Sequence, residues 1–248
     1  MSTPELKLTD KLWFAMHDKI KIGGGSFLAA KPRGIGLAAA LLAELLMLGS
    51  LLLDEDGVLF AQWVWRGQKE VPLAANDKHG LQPTPFVPRT PEREPALDPI
   101  IDLVVAEEQP YNVRDWITFL AQGRDQGGCR AEELVLTRLE RTGYVMLQVR
   151  TRLLRRPVER MVPKDSAYSG NPANRISTAL HRGQQLDHCD LVLADLIVET
   201  GLHQHALATL APAEYAALSE QLKDLPRPLR DLLHATQAAI GDAAITRR

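Results

Sequence analysis

Leu37, Leu41, Leu45 and Leu48 recur at near-helical spacing, and alanines fill most of the positions between them. A helix that is apolar on nearly every side is surrounded by other elements, so this segment predicts a central helix. Glu44 interrupts it, and a carboxylate there needs a hydrogen-bonding neighbour or a route to water. Gly49 and Ser50 predict its stop, and the interruptions argue against a membrane span. Upstream, "TPELKLTDKLWFAMHD" predicts a helix with Leu8, Leu12 and Ala15 on one side. "KIGGGSFLAAKPRGIG" predicts a loop or a loosely wound segment.

The pattern then changes period. Two apolar runs flank Asp54-Glu55-Asp56-Gly57, a hairpin signal, and Leu59, Ala61, Trp63 and Trp65 share one face of the second run. The acidic tip lacks the ligand spacing of a calcium loop and reads as a turn. Six of the sixteen prolines fall between residues 83 and 99, which predicts an extended connector. Helical spacing returns in "ALDPIIDLVVAEEQP" and in "YNVRDWITFLAQG", where Asn112 is a candidate cap. A further helix is expected over about residues 131–141, stopped by Gly143, with Leu134, Arg138 and Arg141 on one side. A hairpin over residues 145–162 follows, with Pro157 restricted to an edge or turn. Four apolar helices complete the chain. The expectation is one mainly α domain over residues 1–248, with about nine helices around the leucine-rich one and small β-hairpins.

Composition narrows the function. A net charge of −2 over 248 residues argues against a general nucleic-acid coat. Cys129 and Cys189 are too few for a disulfide framework and predict a reducing, cytoplasmic setting. The first residues do not read as a signal peptide. No nucleophile elbow, Walker loop, dinucleotide fingerprint or zinc-protease motif occurs, so no catalytic residue, cofactor or metal is expected. His188, Cys189, His203 and His205 are the metal-like group. A helix between them separates the two halves by about 20 Å, which argues against a shared zinc.

Charge is concentrated in "RTRLLRRPVER", residues 150–160, with five arginines and one glutamate. One reading is a solvated edge strand guarded by charge. A second is the wing of a winged helix, with Arg138 and Arg141 on the helix that reads DNA. A third is a membrane-facing hairpin. There Arg150, Arg152, Arg155 and Arg156 meet anionic lipid while Leu153 and Leu154 insert. The apolar pair at a basic tip favours lipid over a phosphate backbone, so membrane association ranks first and the nucleic-acid regulator second.

The order of segments resembles a bacterial member of the Golgi phosphoprotein 3 family. "GLAAALLAELLMLGSLLLDEDG", "LDPIIDLVVAEEQPYNVRDWITFLA", "LTRLERTGYV" and "DLVLADLIVETGLHQHAL" carry the resemblance. It implies a mostly helical domain with a projecting hairpin, peripheral membrane binding and no enzyme activity. It further implies a phosphatidylinositol 4-phosphate headgroup pocket, contacts with membrane-protein tails, and oligomers formed through the hairpin. The family's four pocket positions fall at about Ala29, Ala38, Cys129 and Glu132, and none keeps the family residue. Phe27, Lys31, Arg33 and Arg130 lie close by and are the headgroup candidates.

Overall fold

The computed structural model describes residues 6–17, 26–61, 63–66, 69–72, 94, 96–122, 130–152, 155–165 and 167–245. Among these are ten helices and three separate two-stranded antiparallel ladders, so the architecture is mainly α, as the periodicity predicts.

Helix α1 (Leu8–Ala15) and helix α2 (Ala30–Met47) form the centre. Leu37, Leu41, Leu42 and Leu45 of α2 are inaccessible to solvent. All eight residues of α1 are buried, including Thr9, Asp10 and Lys11, which a one-sided amphipathic reading does not anticipate. Helix α2 also begins earlier than the glycine-rich pattern suggests. Pro32 lies in its first turn, where a missing N–H breaks no helical bond. Gly36 has a packing role. A Cβ there would stand 2.7 Å from the Thr200 side chain and 3.3 Å from Met16, so glycine permits the close approach of neighbouring helices.

Strands β1 (Leu51–Leu53) and β2 (Leu59–Ala61) pair across the acidic turn. Asp54 Oδ1 accepts the N–H groups of Asp56 and Val58 at 3.0 and 2.8 Å, and Gly57 has φ of 76°, so the tip is a turn held by its own aspartate. The second run is not one strand. It stops at Ala61 and restarts as β3 (Trp63–Arg66), which pairs with β4 (Lys69–Pro72). Most of the proline-rich connector lies outside the described residues. Its end joins the core: Ala96 and Leu97 are buried and helix α3 (Asp98–Ala106) starts inside it.

Helix α4 (Val113–Ala121) is capped by Asn112, whose side chain accepts the Asp115 N–H at 3.0 Å. Helix α5 (Arg130–Arg141) leads into β5 (Val145–Arg152) and β6 (Arg155–Pro163). Helix α6 (Ala167–His181) follows. Helix α7 (His188–Glu199) and the short α8 (His203–Ala206) follow. Helices α9 (Pro212–Leu222) and α10 (Arg227–Ile245) complete the bundle, with α10 packed on α2, α4 and α7.

A buried ion cluster fixes α5 to the centre. Arg138 is only 3% exposed. Its Nη1 and Nη2 donate to the two carboxylate oxygens of Glu44 at 2.8 and 3.1 Å, and its Nε donates to Asp10 Oδ1 at 2.9 Å. Glu44 Oε1 also accepts the Thr9 N–H at 2.7 Å. Glu94 stands 3.8 Å away. The glutamate that interrupts the leucine-rich helix is therefore satisfied structurally. Burial would lower the Arg138 pKa, but the carboxylates of Glu44, Asp10 and Glu94 outweigh it and hold the guanidinium charged.

Two stability predictions follow from this centre. Leu41→Ala should lower the unfolding free energy by about 2–5 kcal/mol in denaturant titration. Arg138→Ala should cost about 3–5 kcal/mol, because it strands two buried carboxylates. The third concerns pH. Burial pushes the Asp10 carboxyl up from 3.8 to about 6, overriding the pull of Arg138. A carboxyl raised by folding contributes stability that is complete below its unfolded pKa and lost as pH rises through the folded one. Measured against an Asp10→Asn variant, the parent should therefore lose stability as pH rises from about 4 to about 6, and then level off.

Candidate functional site

The headgroup candidates gather around the N-terminal ends of α2 and α5, but they do not converge on one pocket. Arg33, in the first turn of α2, pairs with Glu132 in the first turn of α5: its Nε and Nη2 each lie 3.2 Å from a carboxylate oxygen. Glu132 stands where the resemblance places a basic pocket residue, so charge is neutralised there. Arg130 turns toward α4. Its guanidinium carbon sits 4.1 Å from the Phe119 ring centroid and Nη1 donates to the Phe119 carbonyl at 3.1 Å. Phe27 is exposed and stacks on His205 of α8, with ring centroids 4.4 Å apart at 16°. Lys31 is exposed in the first turn of α2. Burial holds His17 down at about 4, so its ring is neutral at pH 7 and adds no positive charge beside Arg33.

Of the family's pocket positions, Ala38 is fully buried and cannot line a surface, while Cys129 lies outside the described residues. The fold pairs the candidate Arg33 with Glu132, an anion outside the candidate set, and the sequence gives no local sign of that pairing because they are 99 residues apart.

The hairpin candidates occupy a different place. Twelve residues of α5 span about 18 Å, so β5 leaves the body roughly that far from the Arg33–Glu132 pair. The ladder is anchored at its base by buried Tyr144 and Val145. Beyond that point burial ends: Met146, Leu147 and Val149 are 47%, 54% and 53% exposed. Strand pairing runs from Val145 with Pro163 to Arg152 with Arg155. An irregularity between Arg150 and Arg152 falls opposite Pro157, which lacks the N–H that regular pairing would need. Arg150 and Arg152 thus close β5, and Arg155 and Arg156 open β6. Leu153 and Leu154 lie outside the described residues.

The winged-helix reading needs Arg138 on a face that reads DNA. The structure corrects this: Arg138 points into the core and is bound by Glu44 and Asp10, so it is not available to a phosphate. The metal-like histidines also separate, with His188 opening α7 and His203 and His205 in α8 beyond its far end. A different trio, Asp187, Cys189 and Asp190, places its ligand atoms within 4.8 Å of one another. Its aspartates are engaged in capping and pairing. Asp187 Oδ1 accepts the Asp190 N–H at 2.7 Å, and Asp190 pairs with Arg175.

The family model for Golgi phosphoprotein 3 (GPP34) matches residues 23–243. The chain belongs to the Golgi phosphoprotein 3 family. No curated protein matches it. Within this Golgi phosphoprotein 3 chain no described helix is long and apolar enough to cross a membrane.

The Arg33–Glu132 pair is testable by itself. Arg33→Glu should lower stability, and adding Glu132→Arg should restore part of the loss. A coupling energy of about 0.5–1 kcal/mol is expected from the double-mutant cycle for so partly exposed a pair.

Proposed function

We propose that this Golgi phosphoprotein 3 family member is a non-enzymatic protein that docks peripherally on an anionic membrane surface through the β5–β6 hairpin. The observation that carries the reading is the hairpin's composition along its length. Exposed apolar side chains lie on β5 just past the buried base, and arginines occupy the far end of both strands. An element that leaves the body with exposed Met146, Leu147 and Val149 has surface that water disfavours and an acyl boundary accepts. The local balance of residues 150–160 is five arginines against Glu159, which favours anionic lipid.

A second contact is available at the N-terminus of α2. Helix N-termini carry partial positive charge and disfavour cations, yet Lys31 and Arg33 both sit in this first turn with no acid among them. Glu132 offsets one of these charges. A phosphate headgroup at exposed Lys31 would offset the other. This site is about 18 Å from the hairpin base along α5, so headgroup binding and hairpin docking are separable contacts.

Basic residues near an anionic surface contribute about 1 kcal/mol each. Replacing Arg152, Arg155 and Arg156 with serine should therefore weaken binding to phosphatidylserine-containing vesicles by about 3 kcal/mol, roughly a hundredfold in partitioning. Co-sedimentation at increasing salt should show the parent losing affinity steeply, because charge attraction is screened. Leu153→Ser with Leu154→Ser should reduce binding yet leave that salt dependence in place. Equal binding by the triple-arginine variant and the parent would mean that the hairpin's charge serves only to guard an edge.

A further inference from the structure

The contact between α1 and α7 holds a reactive pair that membrane docking does not use. Lys11 is only 8% exposed, and its Nζ points at Cys189 Sγ 3.7 Å away. Among the described residues no carboxylate pairs with this amine. Asp10, its neighbour in sequence, is turned to Arg138 instead. A long, flexible cationic side chain is rarely held so deep without an acidic partner. Cys189, the second residue of α7, is half-buried. The other charged groups facing it are already engaged, Asp187 with the Asp190 N–H and Asp190 with Arg175.

We propose that Lys11 and Cys189 form a reversible crosslink when the protein meets a peroxide-class oxidant. Sγ, as thiolate, attacks one peroxide oxygen. The O–O bond breaks, sulfur is oxidised by two electrons to a sulfenic acid, and the departing oxygen leaves as water after taking the thiol proton. Lys11 Nζ gives up a proton to solvent, and its freed lone pair then attacks sulfur. The S–O bond breaks, and the hydroxyl leaves as a second water with a proton from nitrogen. One peroxide is consumed, the chain loses two hydrogens, and an N–S bond ties α1 to α7. Sulfenic acids condense in this way with backbone nitrogen, and a primary amine in contact with the sulfur is a better-placed nucleophile. Burial pushes the Cys189 thiol up, with the Lys11 charge pulling it partly back, so the first step is slow at neutral pH and quickens as pH rises. The bond would span 178 positions of sequence and restrain the centre of the bundle against opening.

The test uses the full-length chain carrying Cys129→Ser, which removes the intramolecular disulfide as a competing product; a Cys189–Cys189 disulfide between copies doubles the mass and is distinguished by it. After hydrogen peroxide treatment its intact mass should fall by about 2 Da and return on reduction with dithiothreitol. Digestion should yield joined peptides containing Lys11 and Cys189, with tryptic cleavage lost after Lys11. Lys11→Arg in the same background should instead gain oxygen in steps of about 16 Da and accept dimedone, a sulfenic-acid trap. Peptide mapping of the oxidised unsubstituted chain gives the same reading should either variant fail to fold. Oxygen gain without joined peptides in folded Cys129→Ser protein, or the same mass loss from Lys11→Arg, overturns the proposal.

Discussion

One guanidinium organises the centre of this fold. Arg138 reaches from α5 into a space where Glu44 of α2 and Asp10 of α1 would otherwise be buried anions. A carboxylate in the middle of a leucine-rich helix is tolerable only if its oxygens are satisfied. Both Glu44 oxygens are satisfied, by the guanidinium and by the Thr9 N–H. Three helices far apart in sequence are thus held by bonds that apolar packing does not supply, because hydrophobic contact has no preferred direction. The cluster does not balance in charge, with one cation facing two carboxylates and Glu94 at its rim. Burial raises the Asp10 carboxyl to about 6, so the excess is relieved only as pH falls toward that value. Asp195, on α7, shows the same outcome without an arginine: burial, then the nearby Glu199, push it up to about 7.

Fixing α5 has consequences at both of its ends. The Arg33–Glu132 pair ties its first turn to the start of α2, and the Arg138 cluster ties its last turns to Glu44 near the end of α2. The two helices therefore run in the same sense, and β5 departs from a clamped terminus. A hairpin of this length is marginal as an isolated element in water. Its base is held here by Tyr144 and Val145, and Tyr144 packs edge-on against Phe14 of α1 and Tyr168 of α6. Exposed apolar residues on β5 can thus be presented by a rigid support, so that less ordering entropy is lost when they bind.

Much of the fold was legible in the sequence, and what was not has identifiable causes. The leucine period of α2 and the Asn112 cap of α4 are local signals, and both reappear in the structure. So does the basic hairpin, with its strands meeting at Arg152 and Arg155. Glu44 announced that it needed a partner, but Arg138 lies 94 residues away on a charge-rich helix, where the sequence offers it to a DNA groove rather than to a buried carboxylate. Helix α1 was misjudged for the same reason. Thr9, Asp10 and Lys11 look like an outward face, and only tertiary partners make their burial tolerable. The break at Ala61 and the early start of α2 depend on sheet pairing and on proline's tolerance in a first turn, neither of which periodicity registers. The candidate site was half legible. Arginine clustering marked the hairpin, whereas nearness to the family's pocket positions grouped Arg33 with Arg130, whose side chains the fold commits to Glu132 and Phe119.

The same physics separates the basic residues that can serve a surface from those that cannot. A guanidinium with a carboxylate or an aromatic face already in place must exchange that partner for a headgroup, and the gain on binding is only the difference. Arg138 is lost to binding altogether, since removing it from Glu44 and Asp10 would leave anions in the core. Arg33 and Arg130 would give up the Glu132 pair and the Phe119 face. Lys31, exposed on a helix terminus that repels it, has an electrostatic penalty for an incoming anion to relieve. Under the proposed membrane docking, affinity for an anionic surface would depend less on how many arginines the chain contains than on which of them the fold leaves uncommitted.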